Sequence, residues 1–186
     1  MKKSKIFIIS GPSGAGKDAV ISGLKEALPI RQLITTVSRP MRPGEKQGTP
    51  YFFITKKEFA ERIKRDEFFE YDEHFDNFYG LTYEEIEKAK ADGGVCFWQA
   101  EYKGVITAKK KLPEIIAIFI NAPLDVLIKR MKQREEKMDE KIYKQRLHDI
   151  EEWLKHKNVY DYEVINEEGK LDEAIKEVKE IIEKNI

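Results

Sequence analysis

The chain has a single cysteine, Cys96, and three scattered histidines, His74, His148 and His156. One thiol excludes an internal disulfide and any multi-cysteine zinc centre. Cys96 lies in an apolar run and reads as a buried thiol. The histidines show no ligand spacing and read as surface or packing residues. Net charge is also missing, because 34 lysines and arginines offset 34 aspartates and glutamates. No global basic field therefore points to nucleic acid. No apolar run is long enough to span a membrane, and Met1-Lys2-Lys3 leads straight into a strand without a leader-like stretch. These absences lead us to expect a soluble cytoplasmic protein with no nucleic-acid and no membrane partner. Repeats, linkers and low-complexity tracts are absent too.

What is present is 41% hydrophobic and 37% charged residues over 186 positions, enough for one domain with a real core under a charged surface. The stretch Ser10-Gly11-Pro12-Ser13-Gly14-Ala15-Gly16-Lys17-Asp18 stands out. It follows the apolar run Ile6–Ile9 and opens a segment with helical spacing at Val20, Ile21, Leu24 and Leu28. Strand, glycine-rich loop and helix form the setting of a phosphate-binding loop. Its amides can curl around phosphate oxygens, the helix adds its positive end, and Lys17 can reach the outer phosphates of a nucleoside triphosphate. The residue after the lysine, usually Ser or Thr on Mg²⁺, is Asp18. A carboxylate is itself a good Mg²⁺ ligand, so Asp18 is the expected metal residue.

Apolar runs alternate with helical patterns along the rest of the chain, which predicts βαβ units and a mainly parallel sheet. Strands are expected at Leu33–Val37, Tyr51–Ile54, Val95–Trp98, Ile115–Ile120 and Tyr162–Ile165. Ser38–Thr49 reads as a loop, and Glu67–Phe75 as an exposed antiparallel strand. Helices are expected from Thr55 to about Arg65, from a capping box at Thr82–Glu85 to Gly93-Gly94, and over Leu171–Ile182. Pro123 suits a first helical turn. Lys129–Arg146 reads as two charged helices with a mobile connection. The segment Arg39–Thr82 thus looks like an antiparallel insertion, and the charged helices look like a lid. A nucleotide kinase needs both, one to hold the acceptor and one to exclude water.

A second constellation fits this reading. Arg39 and Arg42 lie three apart on the proline-stiffened turn Ser38–Glu45, and arginine forks suit a second phosphate group. The phenols of Tyr51 and Tyr79 could complete such a site.

Together these motifs resemble the guanylate kinase family, over nearly the full length. The resemblance rests on Gly11–Lys17, on Ser38–Glu45 with Gly48 and Tyr51, on Phe69-Glu70-Tyr71 and on Asn77-Phe78-Tyr79-Gly80. It continues through Lys129-Arg130, Gln145-Arg146-Leu147, Tyr160-Asp161-Tyr162 and Asn166. It implies an α/β P-loop kinase core with a mainly parallel sheet flanked by helices, an antiparallel monophosphate-binding insertion and a helical lid. The core would cover about 1–38, 83–128 and 147–186, the insertion about 39–82 and the lid about 129–146, all in one domain. The implied activity is transfer of the terminal phosphoryl group of ATP to GMP with Mg²⁺.

The same resemblance implies roles. Gly11, Pro12, Ser13, Gly14, Ala15, Gly16 and Lys17 would hold ATP, with Asn166 near the adenine. Arg39, Arg42, Tyr51 and Tyr79 would hold the acceptor phosphate. Glu70 would read the guanine, with Thr35 and Glu101 beside it. Arg130, Arg134 and Arg146 would act with Lys17 and Arg42 on the transferring phosphoryl group. Three positions depart from the family pattern: Asp18 at the metal, Leu81 where a small Ser or Thr is usual beside the guanine, and Gln99-Ala100-Glu101 where two aspartates are usual. Two relatives of the same fold are the alternatives. One phosphorylates ribose 1,5-bisphosphate and also carries Asp after the loop lysine. The other is a non-catalytic module that binds phosphopeptides.

Overall fold

A computed structural model describes residues 4–74, 76–134 and 140–186, and of Arg134 and Lys141 the backbone only. The chain forms two compact units. One holds Ile30–Ile115 with the chain up to Ile8; the other holds Ile9–Pro29 and Ile116–Ile186.

In the first unit, strand β1 (Lys5–Ser10) contributes Lys5–Ile8, which pair in parallel with β8 (Val95–Trp98). β8 pairs in parallel with β2 (Ile30–Gln32) on its other side, so the apolar run Val95–Trp98 is central, as its composition predicts. Cys96 is buried there and approaches the Asp92 carboxylate at 3.8 Å. The expected single strand Leu33–Val37 is in fact split. Leu33 still donates to the Phe97 carbonyl at 2.7 Å, but Thr35–Val37 (β3) pair in a second sheet. At the switch, the free Ile34 N–H is taken by the Glu85 carboxylate at 3.1 Å. That explains a second difference. Thr82 caps α3 (Tyr83–Asp92) by accepting from the Glu85 N–H, yet Glu85 does not reciprocate, because its carboxylate serves Ile34 and Lys88 instead.

The second sheet of this unit has the order β4-β5-β3-β7-β6, with β4 (Lys46–Gln47), β5 (Pro50–Phe53), β6 (Phe68–His74) and β7 (Asn77–Thr82). It is mixed rather than purely antiparallel. The β3–β7 and β6–β7 ladders are antiparallel, but β3–β5 and β4–β5 are parallel, because the chain over 38–49 carries β5 back to start beside β3. β6 is also less exposed than its alternating pattern predicts. Phe68, Phe69 and Glu70 are all buried, and the register shifts between Phe68 and Glu70. Phe75, the expected end of that strand, lies outside the described residues. Helix α2 (Lys56–Lys64) starts at a reciprocal capping box between Thr55 and Glu58. It delivers Phe59 to a stack with Phe68 and Phe78, at ring-centroid distances of 4.2 and 5.3 Å. Helix α4 (Tyr102–Lys111) packs on β6.

In the second unit, the end of β1, β9 (Ile116–Asn121) and β10 (Tyr162–Ile165) lie in the order β10-β9-β1, with β9 and β10 parallel. Asp161 fixes the approach to β10 by accepting from the Ala117 N–H at 2.7 Å, while its own N–H donates to the Ala117 carbonyl. Tyr160 stacks on Phe119 at 4.9 Å. Helices α1 (Lys17–Ala27), α5 (Leu124–Arg134), α6 (Glu140–Lys155) and α7 (Leu171–Lys184) complete it. α7 buries Ala174, Val178, Ile181 and Ile182, close to the predicted stripe. The expected mobile connection between the two charged helices falls at 135–139, outside the described residues. Among the described residues no helix is long and apolar enough to cross a membrane.

Phe59 is fully buried between two aromatic rings, so Phe59→Ala leaves a cavity that those rings cannot close. We expect a loss of about 3–5 kcal/mol of unfolding free energy, read from urea titration followed by circular dichroism.

Candidate functional site

The loop after β1 is held by a contact that only glycine permits. Gly11 has φ +146°, and a Cβ there would lie 2.0 Å from the Ile120 carbonyl oxygen. The Ala15 N–H closes the next turn on the Pro12 carbonyl at 3.2 Å. α1 then begins at Lys17 with no side-chain cap, so its first amides are not claimed by a capping residue. Lys17 arches back over the loop and donates from Nζ to the carbonyls of Gly11 at 2.6 Å and Pro12 at 3.0 Å. Asp18 is exposed in the first turn of α1.

Two distant residues expected at this loop are present. Arg130 donates to the Gly14 carbonyl and to the Glu167 carbonyl, each at 3.3 Å. Asn166 is 3% exposed and donates from Nδ2 to the Ala15 carbonyl at 2.9 Å, while its Oδ1 is buried with no hydrogen-bond partner. Such an oxygen is costly unless a donor arrives, and the exocyclic amine of adenine is a donor of the right kind. The residues present therefore fit an adenine nucleotide. Arg146 stands half-buried on α6, and the side chain of Arg134 lies outside the described residues.

The second constellation lies on the mixed sheet. Arg39 is 8% exposed, and its guanidinium meets the Glu45 carboxylate through two bonds, 2.7 and 2.6 Å, plus the Pro40 carbonyl at 3.0 Å. It lies over the rings of Tyr51 and Phe53, at 5.2 and 5.3 Å. Hydrogen bonding to Glu45 outweighs burial and raises the Arg39 pKa, with the Tyr79 and Tyr51 phenols adding to the effect. Arg39, Tyr51 and Tyr79 are thus brought together as expected. Glu45 also accepts from the Arg42 N–H at 2.7 Å, leaving the Arg42 side chain exposed. The Arg39 fork, above all, pulls the Glu45 carboxyl down to about 2, against a small burial effect.

Glu70 sits on the same sheet, 4% exposed. Its Oε1 accepts from the Trp98 indole N–H at 3.1 Å, and its Oε2 faces Gly104, where a Cβ would come within 2.4 Å. Burial dominates and pushes its carboxyl up to about 8, with Asp72 and Glu101 adding to the rise and the Trp98 and Leu81 N–H groups opposing it. Thr35 and Leu81 are buried nearby on β3 and β7. Glu101 precedes α4 without capping it and lies 4.0 Å from the His74 ring.

The profile of the guanylate kinase family matches residues 3–185. The chain belongs to the guanylate kinase family. The guanylate kinase of Buchnera aphidicola subsp. Schizaphis graminum is 37% identical over 186 residues, covering 98% of this chain and 88% of that protein. The guanylate kinase of Escherichia coli O157:H7 is 36% identical with the same coverage. The crystal structure of guanylate kinase from Anaplasma phagocytophilum shares the fold, with a TM-score of 0.79 at 23% identity over 99% of this chain and 87% of that one.

For this guanylate kinase family member, two residues of the site were not legible beforehand. Glu45 could have been found from its spacing, since a carboxylate three residues after Arg42 and six after Arg39 in a tight turn is placed to bind both. Trp98 carried one signal only: a buried indole N–H needs an acceptor, and none is visible within its apolar run.

Glu45→Gln removes the charge from a pair that is mostly shielded from water. We expect it to lower unfolding free energy by about 2 kcal/mol at pH 7. A depressed carboxyl stabilises the fold above its unfolded pKa and loses that contribution as pH falls through the folded value. The gap between wild type and variant should therefore shrink from pH 5 towards pH 2, as read by chemical denaturation across that range.

Proposed function

We infer that this chain is an ATP-dependent guanylate kinase, which moves the terminal phosphoryl group of ATP onto GMP and gives ADP and GDP. The observation that carries the reading is the loop Gly11–Lys17 with Lys17, Arg130 and Asn166 gathered on it, in a chain whose family match runs almost end to end. Phosphoryl transfer asks little covalent chemistry of the protein, so catalysis is positioning and charge stabilisation.

In this reading Lys17 leaves the Gly11 and Pro12 carbonyls for the outer phosphates of ATP. The loop amides and the start of α1 take the remaining phosphate oxygens. Asn166 receives the adenine through its unpartnered Oδ1. Arg130, with Arg134 and Arg146, offsets charge on the transferring group, which spreads over its equatorial oxygens. Arg42, whose side chain is exposed, is the direct cation for the acceptor phosphate, beside Arg39, Tyr51 and Tyr79. Glu70 reads guanine through its N1–H and 2-amino donors, with Thr35 and Glu101 at the base. The division into core, insertion and lid follows from the same assignment. This reading puts the reaction in the cytoplasm.

Asp18 would help hold magnesium brought in with the triphosphate, and the ion would supply positive charge against the phosphates. The donor set suits it, since Mg²⁺ is commonly held by one or two carboxylates plus substrate phosphates and Asp18 offers an exposed carboxylate next to Lys17. Without the ion, that same carboxylate repels the triphosphate. ATP affinity, measured by calorimetry with and without Mg²⁺, should therefore depend on the metal more steeply in wild type than in Asp18→Ser. Equal dependence in the two proteins would make Asp18 a helix-start residue and nothing more.

The test of the function is ADP release with GMP, AMP and ribose 1,5-bisphosphate as acceptors. GMP should be preferred by ~10²-fold or more over AMP, because adenine leaves the buried Glu70 without its two donors. Lys17→Ala should lower turnover at least ~10²-fold while the circular dichroism spectrum stays unchanged. Ribose 1,5-bisphosphate as the best acceptor, or wild-type turnover in Lys17→Ala, would overturn the reading.

A further inference from the structure

We propose that taking up guanine ionises Glu70, so that each GMP bound expels a proton from this carboxyl to solvent, and that Trp98 is the positioning residue that holds the carboxyl ready for it. The proposal rests on the reading of Glu70 as the guanine-facing residue.

Among the described residues, the surroundings of Glu70 contain neutral donors and other acids, but no partner cation. From β8, the Trp98 indole N–H donates to Oε1 at 3.1 Å. From β7, the Leu81 main-chain N–H acts on the same carboxyl, while its side chain is apolar and fully buried. From α4, Gly104 closes over Oε2 so tightly that no side chain fits there. The charged groups of these elements are otherwise engaged. Asp72 on β6 is paired with Lys103 of α4 at 3.6 Å. Glu101, ahead of α4, lies 4.0 Å from His74 of β6. Lys111, at the far end of α4, donates to the Phe69 carbonyl at 2.7 Å and the Tyr83 hydroxyl at 2.8 Å instead of to the carboxyl. A buried acid between two further carboxylates, with two neutral donors, rests in its protonated form at neutral pH. The value of about 8 given above agrees with that geometry.

Guanine changes the balance because it presents two adjacent donors, N1–H and the 2-amino group. A carboxylate accepts from both. A neutral carboxyl cannot, since one oxygen still carries a proton; it would pair with N1–H and the O6 carbonyl and ignore the 2-amino group. Reading GMP against IMP, which lacks that amine, therefore requires the ionised form. The proton leaves for solvent, and the Trp98 N–H keeps Oε1 in place while the base approaches. Only the ionised fraction binds, so the apparent dissociation constant falls about tenfold per pH unit well below the resting pKa and levels off above it. At pH 7, about nine-tenths of a proton should leave per GMP bound.

The experiment is calorimetric titration of the full chain with GMP, without ATP, in buffers of low and high ionisation heat, from pH 6.5 to 8.5. The GMP phosphate has its own second pKa near about 6, and that contribution is common to wild type and Glu70→Gln. The expected difference between the two proteins at pH 7 is about 0.9 proton released. GMP affinity should rise about fivefold from pH 7 to 8 in wild type beyond any rise in Glu70→Gln. Trp98→Phe removes a donor that favours the carboxylate, so the break in the pH profile should move upward while the high-pH affinity is retained. Equal loss at every pH would reduce Trp98 to a packing residue and overturn its part. If Glu70→Gln binds GMP at least tenfold more weakly but releases as many protons as wild type, Glu70 still faces the base and the ionisation on binding is overturned. If Glu70→Gln binds GMP as wild type does, the guanine-facing assignment fails, and the proposal fails with it.

Discussion

The close approach of Gly11 to the Ile120 carbonyl is the constraint on which the nucleotide-binding half of this molecule depends. It puts the chain leaving β1 directly against β9, with no side chain between them. From there the loop can turn back on itself, present its Gly11 and Pro12 carbonyls to Lys17, and start α1 with uncapped amides. Lys17 in this arrangement is a cation held by neutral carbonyls. Arg130 and Asn166 are attached to the same loop backbone, through Gly14 and Ala15. Their positions are therefore set by the loop's conformation.

The unit that holds Ile30–Ile115 handles charge in two opposite ways. At Arg39, a buried cation is matched by the Glu45 carboxylate through a bidentate bond, and both groups are driven further into their charged forms. The pair ties the Arg39 side chain and the Arg42 main chain into one turn. At Glu70, a buried acid receives no cation, and its charge is suppressed by burial. The first arrangement fixes the turn that carries Arg42. The second leaves a carboxyl whose neutral form is favoured by its surroundings.

Structural economy is visible where β2 gives way to β3. The chain leaves one sheet of its unit and enters another within two residues, and the amide stranded at the turn is satisfied by Glu85. That carboxylate would otherwise have completed the cap of α3, which keeps only the Thr82 half. A local capping signal was thus partly overridden by a distant amide with no other partner, because an unsatisfied buried N–H costs more than a half-formed cap.

The sequence by itself determined the loop, the helix after it and the strand before it. Glycine spacing, apolar runs and helical periodicity are local, and local signals survive in one dimension. It also pointed to Arg39, Tyr51 and Tyr79 as one group, and the fold brings these three together. It could not show that Leu33–Val37 divides between two sheets, because both halves have the same strand-forming composition and only the choice of partners separates them. Nor could it show that β6 is buried where its alternation suggests exposure, because burial there comes from α4 and β8, distant in sequence. The protonation of Glu70 belongs wholly to the tertiary structure. A glutamate has no unusual affinity for a proton until the fold buries it near Asp72 and Glu101, where the N–H donors of Trp98 and Leu81 oppose the rise without cancelling it.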